Sequence, residues 1–263
     1  MTIMPTYDAP LDALAATPRL LVALDFDGTI SPHADDPMQS RMLPAARSAL
    51  ETLAALPDTT VALVSGRSLS DLRVISEHGD DSPWLLAGSH GAEYWRPGEG
   101  AIEPQEESDD VRLRDRLFAE AEAAVAERPG VWIEPKTFGF AVHTRKADDA
   151  ATRAAANDAV DAIMAAEAPT WRRRTGQNIV EFAFRHEGKD SAVAALREQT
   201  GSTAVLFAGD DVTDEDALRS LSDGDLGVHV GTNETAATVS VSDIPAFAAL
   251  LDDLARRRAA RPE

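Results

Sequence analysis

The sequence predicts an α/β fold: a Rossmann-like parallel sheet core with helices on both faces, plus an inserted smaller α/β domain. Three observations carry this. Short apolar runs alternate with stretches of helical periodicity towards both ends of the chain, the pattern of strand–helix–strand units. Several of these runs end in segments rich in glycine and carboxylates, as expected at the carboxyl edge of parallel strands, where ligands bind. The middle of the chain breaks the alternation with long helices set between paired short strands.

Taken in order, Leu20–Leu24 is an unbroken apolar run and reads as the first strand. Pro44–Leu56 follows as a helix, with Leu43, Ala46, Leu50, Leu53 and Ala54 recurring at helical spacing. Thr60–Val64 is the second strand. It leads into Ser65-Gly66-Arg67 and a helix over Ser68–Glu77. Trp84–Ala87 gives a third strand that ends in Gly88-Ser89-His90-Gly91. Pro97-Gly98-Glu99-Gly100 and the acidic stretch Glu103–Asp110 read as a linker. Beyond it lie a helix (Val111–Glu127), two strands (Val131–Glu134, Phe138–Thr144), an alanine-rich helix (Asp148–Glu167) and two further strands (Trp171–Arg174, Asn178–Phe184). The alternation then resumes with a helix (Asp190–Gln199), strand (Ala204–Ala208), helix (Asp214–Ser220), strand (Leu226–Val230) and final helix (Ile244–Arg258). The expected division is therefore a core of residues 1–102 and 186–263 and an inserted domain of residues 103–185, a mobile cap that closes over the core.

Composition narrows the function. There is no run of 18 apolar residues, hence no expected membrane span, and the N-terminus lacks the basic-then-apolar pattern of a signal peptide. With no cysteine there is neither a disulfide framework nor thiolate chemistry, and a cytoplasmic location is the expectation. A formal charge of −20 argues against nonspecific nucleic-acid binding, which depends on cationic neutralisation of phosphates. The same field repels any anionic substrate, so such a substrate needs a local positive site. Only Lys136, Lys146 and Lys189 among the 25 basic residues are lysines. A lysine is a compact, rotatable point charge suited to a crowded phosphate site.

Lys189 lies between two acidic clusters in sequence. Asp25-Phe-Asp27-Gly28-Thr29 follows the first strand, and Gly209-Asp210-Asp211-Val212-Thr213-Asp214-Glu215-Asp216 follows Ala204–Ala208. Asp25 and Asp27, two apart where a strand opens into a glycine turn, can both point into one crevice, one as nucleophile and one as acid/base. Thr29 can hold that loop by hydrogen bonding. Asp210, with Asp211 or Asp214 behind it, completes an oxygen-only shell for a hard divalent cation such as magnesium. Lys189 supplies a second positive charge, and Ser65 a hydroxyl donor to a phosphoryl oxygen. The layout is that of a magnesium-dependent phosphoryl-transfer site.

These residues resemble the four motifs of the haloacid-dehalogenase-like phosphatases, here Asp25–Thr29, Ser65, Lys189 and Gly209–Asp214. Within that superfamily the chain is similar to the trehalose-6-phosphate phosphatases from about Leu20 to the C-terminal helix. Glu134-Pro-Lys136, His143-Thr-Arg145, and Gly176 followed by Glu181 match that family's cap pattern. The resemblance implies Asp25 as nucleophile and magnesium ligand. Asp27 is implied as general acid/base, with its backbone carbonyl on the metal, and Asp210 as the third ligand. Asp211 and Asp214 stand behind that shell. Ser65 and Lys189 hold the phosphoryl group, and Gly66, Arg67 and His90 join them on the substrate side, although Arg67 can equally tie down the loop after its strand. Glu134, Lys136, Arg145 and Glu181 are implied to hold a disaccharide. His143 is either a partner of that set or a core-facing strand residue, and Lys146 with the Arg172–Arg174 run reads as surface charge. The chain departs from the pattern in three places. Gln177 replaces a frequent basic residue after Gly176, Phe182-Ala183-Phe184 replaces x-Arg-Pro after Glu181, and Asp190 replaces a glycine after the motif lysine. The expected partner is a small-molecule sugar phosphate, bound by a monomer. Phosphatases of other sugar phosphates (glucosyl- or mannosyl-phosphoglycerate, sucrose phosphate), a phosphomutase and a non-catalytic sugar-phosphate sensor are the alternatives.

Overall fold

Strand β1 (Leu20–Leu24) is buried along its whole length, and the two-residue period of a strand divides its side chains between two cores. Leu20, Val22 and Leu24 enter one apolar cluster, Leu21 and Ala23 another. The computed structural model describes residues 7–102 and 108–261, which fall into two compact units: residues up to 102 with those from 187 on, and residues 108–186.

In the first unit, β1 pairs in parallel with β2 (Thr59–Val64) on one side. Beyond β2 lies β3 (Leu85–Gly88), and beyond that β4 (Glu93–Arg96) and β5 (Gly100–Ile102) run antiparallel at the edge. On the other side of β1 stand, in parallel, β10 (Ala204–Gly209), β11 (Leu226–Val230) and β12 (Val239–Val241). The sheet order is β12-β11-β10-β1-β2-β3-β4-β5. Helices α1 (Asp8–Ala16), α2 (Pro44–Ala54), α3 (Leu69–Ile75) and α8 (Ile244–Ala259) cover one face. Helices α6 (Lys189–Thr200) and α7 (Glu215–Ser220) cover the other. The expected parallel sheet is thus a mixed one. Pro97–Gly100, read as linker, is the turn of the β4–β5 hairpin, with Gly98 and Gly100 at φ values of 79° and 86° that favour glycine. Residues 103–107 of the acidic stretch lie outside the described residues, and Asp109 and Asp110 belong to the first turn of α4 (Ser108–Val125), where acidic side chains suit the helix dipole.

The second unit is a four-stranded antiparallel sheet, order β6-β7-β9-β8, with α4 and α5 (Ala150–Glu167) on one face. Its strands are β6 (Trp132–Lys136), β7 (Gly139–His143), β8 (Arg172–Gly176) and β9 (Ile179–Ala183). Ile133, Phe140, Val142, Val180 and Phe182 pack under the helices together with Leu117, Ala121, Val160 and Met164. By the same alternation Glu134, Lys136, His143, Arg174 and Glu181 share the opposite, polar face.

Candidate active site

In the first unit the loops after β1, β2 and β10 converge at the carboxyl edge of the sheet. Asp25 continues β1, and its backbone N–H donates to the Ala208 carbonyl of β10 at 2.9 Å. Gly28 then takes a φ of 83°, and a Cβ there would lie 2.0 Å from Oδ2 of Asp210. Only glycine lets the first loop approach the Asp210 carboxylate this closely. Thr29 joins the two loops, its hydroxyl lying 3.1 Å from Asp25 Oδ2 and 3.3 Å from Asp210 Oδ1. Gly209 plays a matching part, because a Cβ there would stand 2.1 Å from the Asp214 carboxyl carbon.

Lys189, the first residue of α6, is 4% exposed and donates to Asp25 Oδ1 and to Asp214 Oδ1, each at 2.6 Å. Asp214 uses its other oxygen to accept the backbone N–H groups of Asp210 and Asp211 at 3.2 and 3.1 Å. Asp214 therefore anchors both the lysine and the second loop. Burial, reinforced by Asp214 and Asp210, pushes the Asp25 carboxyl well above its ordinary value despite the opposing charge of Lys189. Burial alone would pull Lys189 down, but Asp214 and Asp25 outweigh it and its pKa is raised. The lysine is a fixed cation, and the ionised form of the Asp25 carboxyl beside it is disfavoured by burial and by its acidic neighbours.

Among the described residues, Asp25, Asp210 and Asp214 form the one group of three carboxylates or imidazoles whose ligand atoms lie within 4.8 Å of one another. The donor set is all oxygen, the chemistry of a hard divalent cation. Asp214 has both oxygens engaged by Lys189 and the loop N–H groups, whereas Asp25 Oδ2 and Asp210 Oδ1 lie on either side of the Thr29 hydroxyl. His33, which the sequence did not single out, reaches Asp210 from an exposed position at 3.4 Å, and that contact raises its pKa.

The Asp27 carboxylate takes a different course from Asp25. It is held bidentately by Arg67, Nε to Oδ2 and Nη2 to Oδ1 both at 2.7 Å, and also accepts the Ser40 hydroxyl at 3.0 Å. Of the two readings of Arg67, the structure presents the one that ties its loop down, with Asp27 as the partner. Ser65 directly follows β2, is 2% exposed, and accepts the Arg67 N–H on its Oγ at 3.2 Å, so its hydroxyl proton remains available to a ligand. His90 is buried with a φ of 58°, and its imidazole lies 2.7 Å from where a Cβ of residue 66 would be. That contact accounts for Gly66. Asp211 is exposed and caps the 3-10 turn Val212–Asp214 through the Val212 N–H.

On the polar face of the second unit, Glu134 accepts Lys136 Nζ at 2.8 Å and His143 Nε2 at 2.5 Å, one on each oxygen. Burial alone would raise the Glu134 pKa, but these two donors outweigh it and hold the carboxyl at about 2. His143 stacks flat on Trp132, ring centroids 4.6 Å apart and planes 2° from parallel. Arg145 is exposed, its guanidinium carbon 5.2 Å from the centre of the same Trp132 ring. Glu181 pairs with Arg174, Nη1 to Oε1 at 3.5 Å. Arg174 is thus a correction to the surface-charge reading of its run: its side chain is 12% exposed, whereas Arg173 next to it is exposed and bonds Asp161 of α5 at 2.7 Å. The pattern Arg-Arg-Arg conceals this, because alternate residues of a strand face opposite ways. An NMR titration of the Glu134 carboxyl is expected to show no midpoint near the ordinary value of 4.5, and a midpoint there overturns the paired arrangement.

The sequence profile of the trehalose-phosphatase family matches residues 23–251. A trehalose-phosphate phosphatase of Mycobacterium avium is 34% identical over 251 residues, covering 87% of this chain and 60% of the relative. One from Mycobacterium marinum is 34% identical over 236 residues, covering 82% and 55%. The chain therefore spans less than two thirds of the length of these relatives. In structure it is similar to the C-terminal domain of the C. albicans trehalose-6-phosphate phosphatase, with a TM-score of 0.78, 19% identity and coverage of 97% of this chain and 98% of that one. It is also similar to the Aspergillus fumigatus trehalose-6-phosphate phosphatase, with a TM-score of 0.70, 24% identity and coverage of 97% and 99%. At those identities the likeness is one of fold, the α/β fold expected from the sequence. With the profile running from β1 into the last helix, this chain belongs to the trehalose-phosphatase family.

Proposed function

We propose that this chain is a magnesium-dependent phosphatase that hydrolyses trehalose 6-phosphate to trehalose and phosphate through an aspartyl phosphate on Asp25. The observation that carries the reading is the buried Lys189, bonded at 2.6 Å to Asp25, which gathers with Asp210 and Asp214 into one carboxylate group. Asp25 is the nucleophile. Lys189 fixes one of its oxygens and sets a positive charge beside the incoming phosphoryl group, and Ser65 donates its hydroxyl to the same group. Asp27 is the general acid/base: it protonates the leaving sugar oxygen and then takes a proton from the water that attacks the aspartyl phosphate. For that, Arg67 must share the carboxylate with the substrate.

The all-oxygen set fits magnesium, held by Asp25, Asp210 and the Asp27 backbone carbonyl, with Asp211 and Asp214 supporting the loop. When bound, the ion neutralises phosphoryl charge that this acidic chain would otherwise repel. Residues 103–185 are proposed as the part that selects the sugar, through Glu134, Lys136, Arg145 and Glu181, and the two outer segments as the catalytic part, with Gly66 and His90 shaping its floor. Among the described residues no helix is long and apolar enough to cross a membrane.

Phosphate release across a panel of sugar phosphates, with magnesium and with a chelator, tests the reading. The expected result is chelator-sensitive turnover with trehalose 6-phosphate preferred. Preference for sucrose phosphate or a glucosyl phosphoglycerate overturns the substrate, and turnover that survives chelation overturns the metal.

A further inference from the structure

The register of the second sheet sets four residues in one row across four strands. Glu134 on β6 stands opposite Ala141 on β7, Ala141 opposite Glu181 on β9, and Glu181 opposite Arg174 on β8. Adjacent strands lie about 4.8 Å apart, so the two carboxylates are separated by roughly two strand spacings with only a methyl group between them. Each carboxylate has its own cationic neighbour, Lys136 for Glu134 and Arg174 for Glu181. The two are not equivalent. Lys136 donates a normal hydrogen bond, whereas Arg174 Nη1 approaches Glu181 at 3.5 Å from a side chain only 12% exposed.

We propose that Arg174 is a positioning residue for sugar recognition, acting through Glu181. This rests on the reading of the polar face as the sugar-selecting surface. A carboxylate accepts hydroxyl hydrogen bonds well only when it is ionised and held in one orientation. A guanidinium at 3.5 Å favours the ionised form, and its planar shape restricts that orientation more than a lysine would. The register also puts Arg172, on the same face of β8, opposite Ala183, so two guanidinium groups flank Glu181 along this edge. A sugar hydroxyl group bound by Glu181 thus meets a carboxylate whose orientation is fixed from the neighbouring strand.

The test is a double-mutant cycle on Arg174→Gln and Glu181→Gln, read as the ratio of kcat/KM for trehalose 6-phosphate to that for para-nitrophenyl phosphate, which carries no sugar. Arg174→Gln is expected to lower that ratio about tenfold, the size of one charged hydrogen bond, chiefly through KM. In the Glu181→Gln background the same change is expected to have no further effect. Arg174→Lys, which keeps charge but not the fork, is expected to fall between Arg174→Gln and wild type and also serves if the glutamine variant does not fold. Arg173→Gln, on the opposite face of the same strand, is the control and is expected to leave the ratio unchanged. Additive effects in the cycle, or an unchanged ratio in both Arg174 variants, overturn the proposal. Wild-type protein that turns over para-nitrophenyl phosphate and another sugar phosphate but not trehalose 6-phosphate rejects the substrate reading, and the cycle is then run on the sugar phosphate it prefers.

Discussion

Asp25→Asn is expected to lower phosphate release by at least about a thousandfold with trehalose 6-phosphate and para-nitrophenyl phosphate alike, since a group that acts as part of one catalytic unit takes the unit with it. The fold is expected to survive. Burial raises the Asp25 pKa, so its ionised form is disfavoured in the folded, metal-free protein. A carboxyl raised in this way gives stability that is present below its unfolded value of 3.8 and lost as pH rises through the raised folded value. At neutral pH the neutral asparagine removes that strain, and Lys189 keeps Asp214 as its partner. The variant is therefore expected to melt no lower than metal-free wild type. Magnesium, proposed above to be held by the folded site, is expected to raise the thermal midpoint of wild type and to raise that of Asp25→Asn much less. Retention of a tenth of wild-type turnover rejects the nucleophile. A large fall in melting temperature attributes the loss to the fold instead.

That combination of lost activity and kept stability follows from features only partly legible in the sequence. The joint occurrence of the motifs pointed to Asp25, Asp210 and Lys189: an acidic turn after a strand is common alone, but two of them flanking one of only three lysines are not, and the structure brings these three together. Asp214 was visible as one carboxylate of several. Its role as the second partner of Lys189 depends on Gly209 leaving room for its side chain, a contact between residues five apart in a loop whose shape no periodicity encodes. Arg67 was ambiguous because its partner Asp27 is 40 residues away. The edge hairpin β4–β5 was missed because its turn, Pro97–Gly100, looks like a linker when only composition is read. Arg174 was missed for a simpler reason: three consecutive arginines suggest solvent, while strand alternation turns Arg173 to the helix side and Arg174 to the polar face beside Glu181.

Lys189→Met is expected to be as damaging, and in a different way. The ammonium sits between two buried carboxylates at 2.6 Å from each, and removal of one partner from a buried charge cluster typically costs about 3–5 kcal/mol because the remaining charges are left uncompensated. Unlike Asp25→Asn, this variant is therefore expected to be less stable than wild type at neutral pH. The deficit has a definite pH dependence. Without the cation, both Asp25 and Asp214 lose the interaction that lowers their pKa values and are raised further above 3.8. Their protonated forms fit the buried site, so the penalty is fully present above the raised values and shrinks as pH falls through them towards 3.8. Denaturant midpoints for the variant and wild type should converge on acidification. Turnover is expected to fall by roughly a hundred- to a thousandfold on both substrates, because the charge serves the phosphoryl group they share. A Lys189→Met protein that matches wild type in its denaturant midpoint at neutral pH and still distinguishes neither substrate in its loss would leave the lysine catalytic but not structural. One that also keeps its turnover removes Lys189 from the site altogether.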